Sequence, residues 1–144
     1  MISFVVPAHN EERWISRSVA SIHAAAWVVG EPYELIVVDD ASTDATAELA
    51  RAGGAEVVTV GFRQIAATRN AGARQARGDV LIFVDADTEA NAEAVRAAVA
   101  ALRAGAVGGG CVPRFDRRLP FWGKVVYPPF IWLARRTRLV GGCF

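Results

Sequence analysis

The 144-residue sequence predicts an α/β fold built from repeated strand–helix units around a mainly parallel sheet. Short apolar runs alternate with stretches of helical period. The runs Leu35-Ile36-Val37-Val38 and Val80-Leu81-Ile82-Phe83-Val84 are continuously apolar, as expected of strands covered on both faces. Three of the runs end abruptly in polar clusters.

Ser3-Phe4-Val5-Val6 reads as a first strand, broken by Pro7. From Glu12 the period changes, and Ile15, Val19, Ile22 and Ala26 fall on one face of a helix. Leu35 to Val38 forms a second strand ending in Asp39-Asp40. Ser42 or Thr43 is positioned to cap a helix over 44–52, with Asp44 in its first turn and Gly53-Gly54 as its stop. Val57 to Val60 is a third strand, and Ile65 to Arg77 a helix stopped by Gly78. Val80 to Val84 is a fourth strand leading into Asp85-Ala86-Asp87. Thr88 is the expected cap of a helix whose Val95, Val99 and Leu102 share a face before Gly105. Residues 106–115 are expected to form another strand.

A chain of this length is expected to form one domain over 1–144, burying roughly two-thirds of its unfolded surface without a disulfide or structural metal. Hydrophobic residues at 53% and charged residues at 22% exclude a disordered chain. No apolar run approaches the ~20 residues of a membrane span, and the N-terminus lacks the layout of a signal peptide. Two cysteines, Cys111 and Cys143, make no disulfide framework, so a reduced, cytoplasmic protein is expected, with Cys111 a small core residue. Trp14 and Trp27 read as packing residues. The net charge of +1 hides an asymmetry, because residues 1–112 carry nine basic against fourteen acidic side chains. Residues 113–144 carry seven basic side chains against Asp116 alone.

Ligands of open parallel sheets bind outside the carboxyl ends of the strands. The polar clusters there are Pro7-Ala8-His9-Asn10-Glu11-Glu12, Asp39-Asp40-Ala41-Ser42 and Asp85-Ala86-Asp87. Several carboxylates at one rim repel one another unless a cation neutralises them, and hard oxygen donors suit Mg²⁺ or Mn²⁺. Asp85 and Asp87 flank one residue of extended chain, so they point the same way and can share an ion. There is no G-x-x-x-x-G-K-[ST] loop and no G-x-G-x-x-G after the first strand, which excludes P-loop and dinucleotide-binding signatures. G-x-S-x-G, C-x-x-C and H-E-x-x-H are also absent. A metal-assisted site for a phosphorylated ligand remains.

The series Val5 to Glu12, Ile36 to Asp44, Arg69-Asn70-Ala71-Gly72-Ala73 and Phe83 to Asp87, in this order and spacing, resembles the family 2 glycosyltransferases. The resemblance spans residues 2 to about 115. It implies the GT-A (Rossmann-like) α/β/α sandwich and inverting sugar transfer from a nucleoside-diphosphate sugar to an acceptor hydroxyl. It also implies help from Mg²⁺ or Mn²⁺, in cell envelope or glycolipid biosynthesis. By the same resemblance, Pro7, His9 and Glu11 line the nucleoside pocket, Asp40 contacts the base, and Asp39 stabilises its turn. Arg69 lies near the nucleotide, Asp85 near ribose or metal, and Asp87 on the metal. Glu89 falls where some relatives supply a further ligand, and Arg114 resembles a diphosphate-contacting arginine. Relatives continue beyond the segment matching Leu139 to Phe144, and that continuation usually carries the general base. The base is therefore expected beyond Phe144, which leaves 1–144 as the donor-binding portion.

Each residue also has a purely structural reading: His9 bonding a loop, Asp44 capping a helix, Arg69 pairing with a carboxylate, Asp85-Ala86-Asp87 a plain turn. Two other functions remain open on the sequence. A sugar-phosphate nucleotidyltransferase is one, although its Gly-rich basic loop is replaced here by His9-Asn10-Glu11-Glu12. A non-catalytic nucleotide-binding module is the other. Nothing points to a nucleic acid partner. Between Arg117 and Arg138, Phe121, Trp122, Tyr127, Phe130 and Trp132 lie among basic residues. That composition suits peripheral contact with the inner face of a membrane through 117–138, and with it a lipid-linked acceptor.

Overall fold

A computed structural model of the chain describes residues 1–111 together with Pro128, Pro129 and Trp132. The chain divides into two compact units, Met1–Gly105 and Ala106–Phe144. In the first, four strands and four helices alternate: β1 (Ile2–Ala8), α1 (Ile15–Val29), β2 (Tyr33–Asp40), α2 (Thr46–Ala52), β3 (Glu56–Val60), α3 (Ile65–Gln75), β4 (Val80–Phe83) and α4 (Ala92–Arg103). All strands pair in parallel, in the order β3-β2-β1-β4.

This order explains where the helices go. The chain steps outward from β1 to β3, then returns to the other side of β1 for β4. Right-handed crossovers in opposite directions place their helices on opposite faces. Accordingly Ile2, Phe4, Val6 and Val37 pack with Ile15, Val19 and Ile22 of α1, Ala50 of α2, and Val95 and Val99 of α4. On the other face Val5, Ile36 and Val38 meet Ala71 of α3. A Cβ on Gly72 would come within 2.8 Å of Val38 Cγ2 and closer still to Val5 Cγ1, so α3 rests directly on the sheet there. The reversal beside β1 opens the crevice in which open α/β sheets bind ligands.

Several local expectations change. Pro7 lies within β1, opposite Val38, and does not break it. Val5 C=O accepts from Val84 N–H on the β4 side, so the alternating Pro7 nitrogen also faces β4, where pairing has already ended at Val5–Phe83. No ladder bond is lost. Neither Ser42 nor Thr43 caps α2, since both bond Asn10 across the sheet end: Asn10 N–H donates to Ser42 Oγ (3.0 Å) and Thr43 N–H to Asn10 Oδ1 (2.8 Å). Asn91 replaces Thr88 as the cap of α4, its Oδ1 accepting from Glu93 and Ala94 N–H. Helix α3 ends at Gln75, two residues before Arg77. No strand forms over 106–111, and 112–115 lie outside the described residues. Cys111 is exposed rather than in the core. Trp27 is 85% exposed, on the outer side of α1, rather than packed.

Candidate active site

The loops after β1, β2 and β3 share an uncommon feature. Each carries one non-glycine residue in the left-handed region: Asn10 (φ 55°), Ala41 (φ 53°) and Arg63 (φ 51°). Such conformations cost about 1–3 kcal/mol each and concentrate where a site over-determines the backbone. Here the over-determination is visible as hydrogen bonds between the loops. Besides the Asn10 contacts, Glu11 N–H donates to Thr46 Oγ1 (2.8 Å) and Glu12 N–H to Asp44 Oδ2 (3.1 Å). Asp44 also accepts from the Thr46 N–H and hydroxyl, so it braces the turn before α2 without capping the helix, whose cap position is Ala45.

Asp40 anchors the third loop. It is buried, and its Oδ1 accepts from Phe62 N–H (2.7 Å) and Arg63 N–H (3.0 Å) while Oδ2 accepts from the Thr68 hydroxyl (2.8 Å). Burial by itself favours the neutral acid. The bonds from Arg63, Thr68 and Phe62 outweigh it and hold the carboxyl below its ordinary range. Its neighbour Asp39 is equally buried, in register with Ala8 and Thr59. Among the described residues, Asp39 Oδ1 has no hydrogen-bond partner.

Between these loops lies a pocket of about 410 Å³, within the range that holds a small organic ligand. Pro7, His9, Glu11 and Asp40, all expected from the sequence, line it together. The sequence reading missed Arg63, Gln64, Ile65 and Thr68, which complete the wall. The signal that could have found them is positional, since Gly61 to Gln64 follow the carboxyl end of β3 as the other clusters follow β1, β2 and β4.

The acidic turn adjoins this pocket. The pKa of Glu11 is raised, first by burial and then by the negative charges of Asp87, Asp44 and Asp85, partly offset by His9. Carboxylates from the loops after β1, β2 and β4 therefore feel one another. Arg69, on α3, donates to Asp85 Oδ1 at 2.5 Å. Among the described residues, Asp87 accepts only from the Thr88 hydroxyl, at 3.3 Å. Glu89 is drawn the other way and forms an ion pair with Arg17 of α1. Among the described residues no three His, Cys, Asp or Glu side chains converge as a ready-made metal cage. Arg114 lies outside the described residues, as does 117–138 apart from Pro128, Pro129 and Trp132, all three exposed. Among the described residues no helix is long and apolar enough to cross a membrane.

Comparison with known proteins agrees with this geometry. The family model of Glycosyl transferase family 2 matches residues 3–140. Over 97 residues the chain is 37% identical to undecaprenyl-phosphate 4-deoxy-4-formamido-L-arabinose transferase of Pseudomonas aeruginosa, covering 62% of this chain and 28% of that protein. The mannosyltransferase PcManGT from Pyrobaculum calidifontis, solved with GDP-Man and Mn²⁺, superposes with a TM-score of 0.65 at 28% identity. That superposition covers 78% of this chain and 35% of the other. Glucosyl-3-phosphoglycerate synthase from Mycobacterium tuberculosis, solved with phosphoglyceric acid, gives 0.63 at 32% identity, over 94% and 51% of the two chains. The chain thus spans between about a quarter and a half of the length of these proteins. The parallel sheet flanked by helices is the GT-A arrangement that the motifs implied. With its motif residues gathered at the carboxyl ends of that sheet and the family match running through almost its whole length, this chain belongs to glycosyl transferase family 2.

Proposed function

We propose that the chain forms the donor-binding part of a glycosyltransferase that moves a sugar from a nucleoside-diphosphate sugar to an acceptor hydroxyl with inversion. The observation that carries this reading is the pocket of about 410 Å³ beside the Asp85-Ala86-Asp87 turn. The pocket has room for a nucleoside, and the acidic turn stands beside it at the strand reversal, where a charged diphosphate would emerge.

The donor set fits a divalent cation of one kind. Asp87 offers a carboxylate that no cation among the described residues neutralises, and Asp85 offers a second at the same turn. Mg²⁺ and Mn²⁺ commonly take one or two protein carboxylates and fill their remaining positions with water and substrate phosphate, so a full protein cage is not required. When bound, such an ion would supply charge neutralisation to the departing nucleoside diphosphate. The chain's own residues do the rest of donor binding. Pro7, His9, Glu11 and Asp40 shape the nucleoside wall, and Arg69 holds Asp85 in place. No described residue is assigned as the base on the acceptor. Sensitivity of donor binding to Mn²⁺ is the direct test. A thermal-shift panel of UDP, GDP, dTDP and CDP should show stabilisation by at least one nucleotide, larger with Mn²⁺ than without. No shift under any condition would overturn the reading.

For the acceptor we propose a lipid-linked molecule met at the cytoplasmic membrane face. The name of the Pseudomonas relative includes a polyprenyl phosphate, and residues 117–138 mix aromatics with basic side chains. Binding to anionic liposomes that falls with added salt would support this. A chain that stays in the supernatant at low salt would refute it.

A further inference from the structure

The Asp85-Ala86-Asp87 turn leaves the sheet early, since pairing of β4 with β1 ends at Phe83 opposite Val5. Beyond that point it is held from both faces of the sheet. On the α3 face Arg69 bonds Asp85. On the α1 face the Ala86 side chain is buried in the core shared with Ile15, Val19 and Ile22, and Ser21 Oγ accepts from Ala90 N–H at 2.8 Å. Glu89 pairs with Arg17, one helical turn before Ser21. Thr88 N–H closes the turn onto the Asp85 carbonyl oxygen (2.9 Å). Asp87 has no tie of its own to either face among the described residues, so its place is set by the backbone fixed at Ala86 and Ala90.

The two contacts from α1 differ in weight. The Arg17 and Glu89 side chains are 65% and 57% exposed, and water screens such a pair until it contributes little. The Ser21–Ala90 bond is half-buried, where an N–H left without an acceptor costs more than an average bond contributes. Ser21 is also pre-set for this contact. Its hydroxyl proton goes to the Ser18 carbonyl oxygen of its own helix (2.7 Å), which fixes the rotor and leaves a lone pair of Oγ for the turn. It does not line the pocket. We propose that Ser21 is a positioning residue for the acidic turn, acting through Ala90 to hold the Asp87 carboxylate in the orientation that binding of a divalent cation requires. Mg²⁺ demands near-octahedral geometry, so a turn that wanders loses affinity for such an ion before the chain loses its fold. This inference rests on the metal-assisted donor-binding reading above.

Calorimetry on the 144-residue chain with UDP, GDP, dTDP and CDP, each with and without Mn²⁺, tests it. For the nucleotide whose binding Mn²⁺ strengthens most in the parent, Ser21→Ala should cut that strengthening about tenfold or more and leave the metal-free affinity within about twofold. Ser21→Thr, which keeps the hydroxyl, should retain the strengthening to within about threefold. In metal-free Ser21→Ala the amide of Ala90 should exchange faster than in the parent. Asn91→Ala separates positioning from a general seat for α4, because it removes the side-chain cap of that helix and leaves Ser21 and Ala90 in place. It should lower the melting temperature and keep the effect of Mn²⁺. If Ser21→Ala keeps that effect, if Ser21→Thr loses as much as Ser21→Ala, or if Asn91→Ala loses as much, Ser21 does not position the turn and the inference fails alone. If Mn²⁺ strengthens the binding of no nucleotide to the parent chain, the metal-assisted reading fails and this inference with it.

Discussion

Arg69 Nη2 lies 2.5 Å from Asp85 Oδ1, so the first acid of the Asp85-Ala86-Asp87 turn already has a cationic partner. The second has none among the described residues, only the Thr88 hydroxyl at 3.3 Å. Two carboxylates separated by one residue thus occupy different electrostatic positions. Asp85 is tied to α3 beneath it, while Asp87 has no such tie among the described residues.

Asp87→Ala should therefore remove the Mn²⁺-dependent part of nucleoside diphosphate binding and leave the melting temperature of the free chain unchanged. Asp85→Asn should instead cost up to about 1 kcal/mol of stability, because its ion pair is half exposed and screened by water. Calorimetry with and without Mn²⁺, beside thermal melting, checks both. Unchanged metal-dependent affinity in Asp87→Ala would place the ion elsewhere.

Glu11 provides a test at the pocket itself. Its folded-state pKa is raised, first by burial and then by Asp87, Asp44 and Asp85. A raised acid binds its proton more tightly in the folded state, so its contribution is present below the ordinary glutamate pKa and is lost as pH rises through the folded value. Glu11→Gln should accordingly stabilise the metal-free chain near neutral pH and confer little or nothing near pH ~4. Melting curves across that range give the difference. A larger gain on the acid side would contradict the sign.

Asp40 works in the opposite sense. Burial disfavours its charge, but the donors from Arg63, Thr68 and Phe62 more than offset this, and its pKa is lowered. Its contribution is present above the ordinary aspartate pKa and is lost as pH falls through the depressed value, below about pH 4. Asp40→Asn should cost about 2 kcal/mol at neutral pH, since charge-assisted bonds to the 62–63 loop are weakened. It should also loosen that loop, seen as faster amide exchange at Phe62 and Arg63. Protection equal to the parent's would show that the loop holds without the carboxylate.

Gly72 tests the seat of α3. An added Cβ would be forced against Val5 and Val38, both fully buried side chains of the central strands. Gly72→Ala should therefore destabilise by about 1–3 kcal/mol despite the better helix propensity of alanine. Chemical denaturation measures it, and a stabilised variant would mean that α3 can lift from the sheet.

Much of this protein could be read from the order of its residues alone. The apolar periods located four strands and four helices, because period 2 or continuous burial and period 3.6 are local properties of a segment. Ile15, Val19 and Ile22 were legible as a buried face, and the acids after β2 and β4 as strand-end clusters, for the same reason. Other features depend on partners 22 to 78 residues away and only the tertiary structure decided them. The reversal that seats β4 beside β1 lets Pro7 sit in a strand at no cost in hydrogen bonds. Ser42 and Thr43, each with the composition of a helix cap, are claimed by Asn10 across the sheet end. Asp40 is committed to the 62–63 backbone and Glu89 to Arg17. Arg63, which no motif marks, reaches His9 across 54 positions of sequence and becomes part of the pocket. A side chain's type sets which bonds it can form, but which of them it forms depends on the groups that the packed strands bring within about 3 Å.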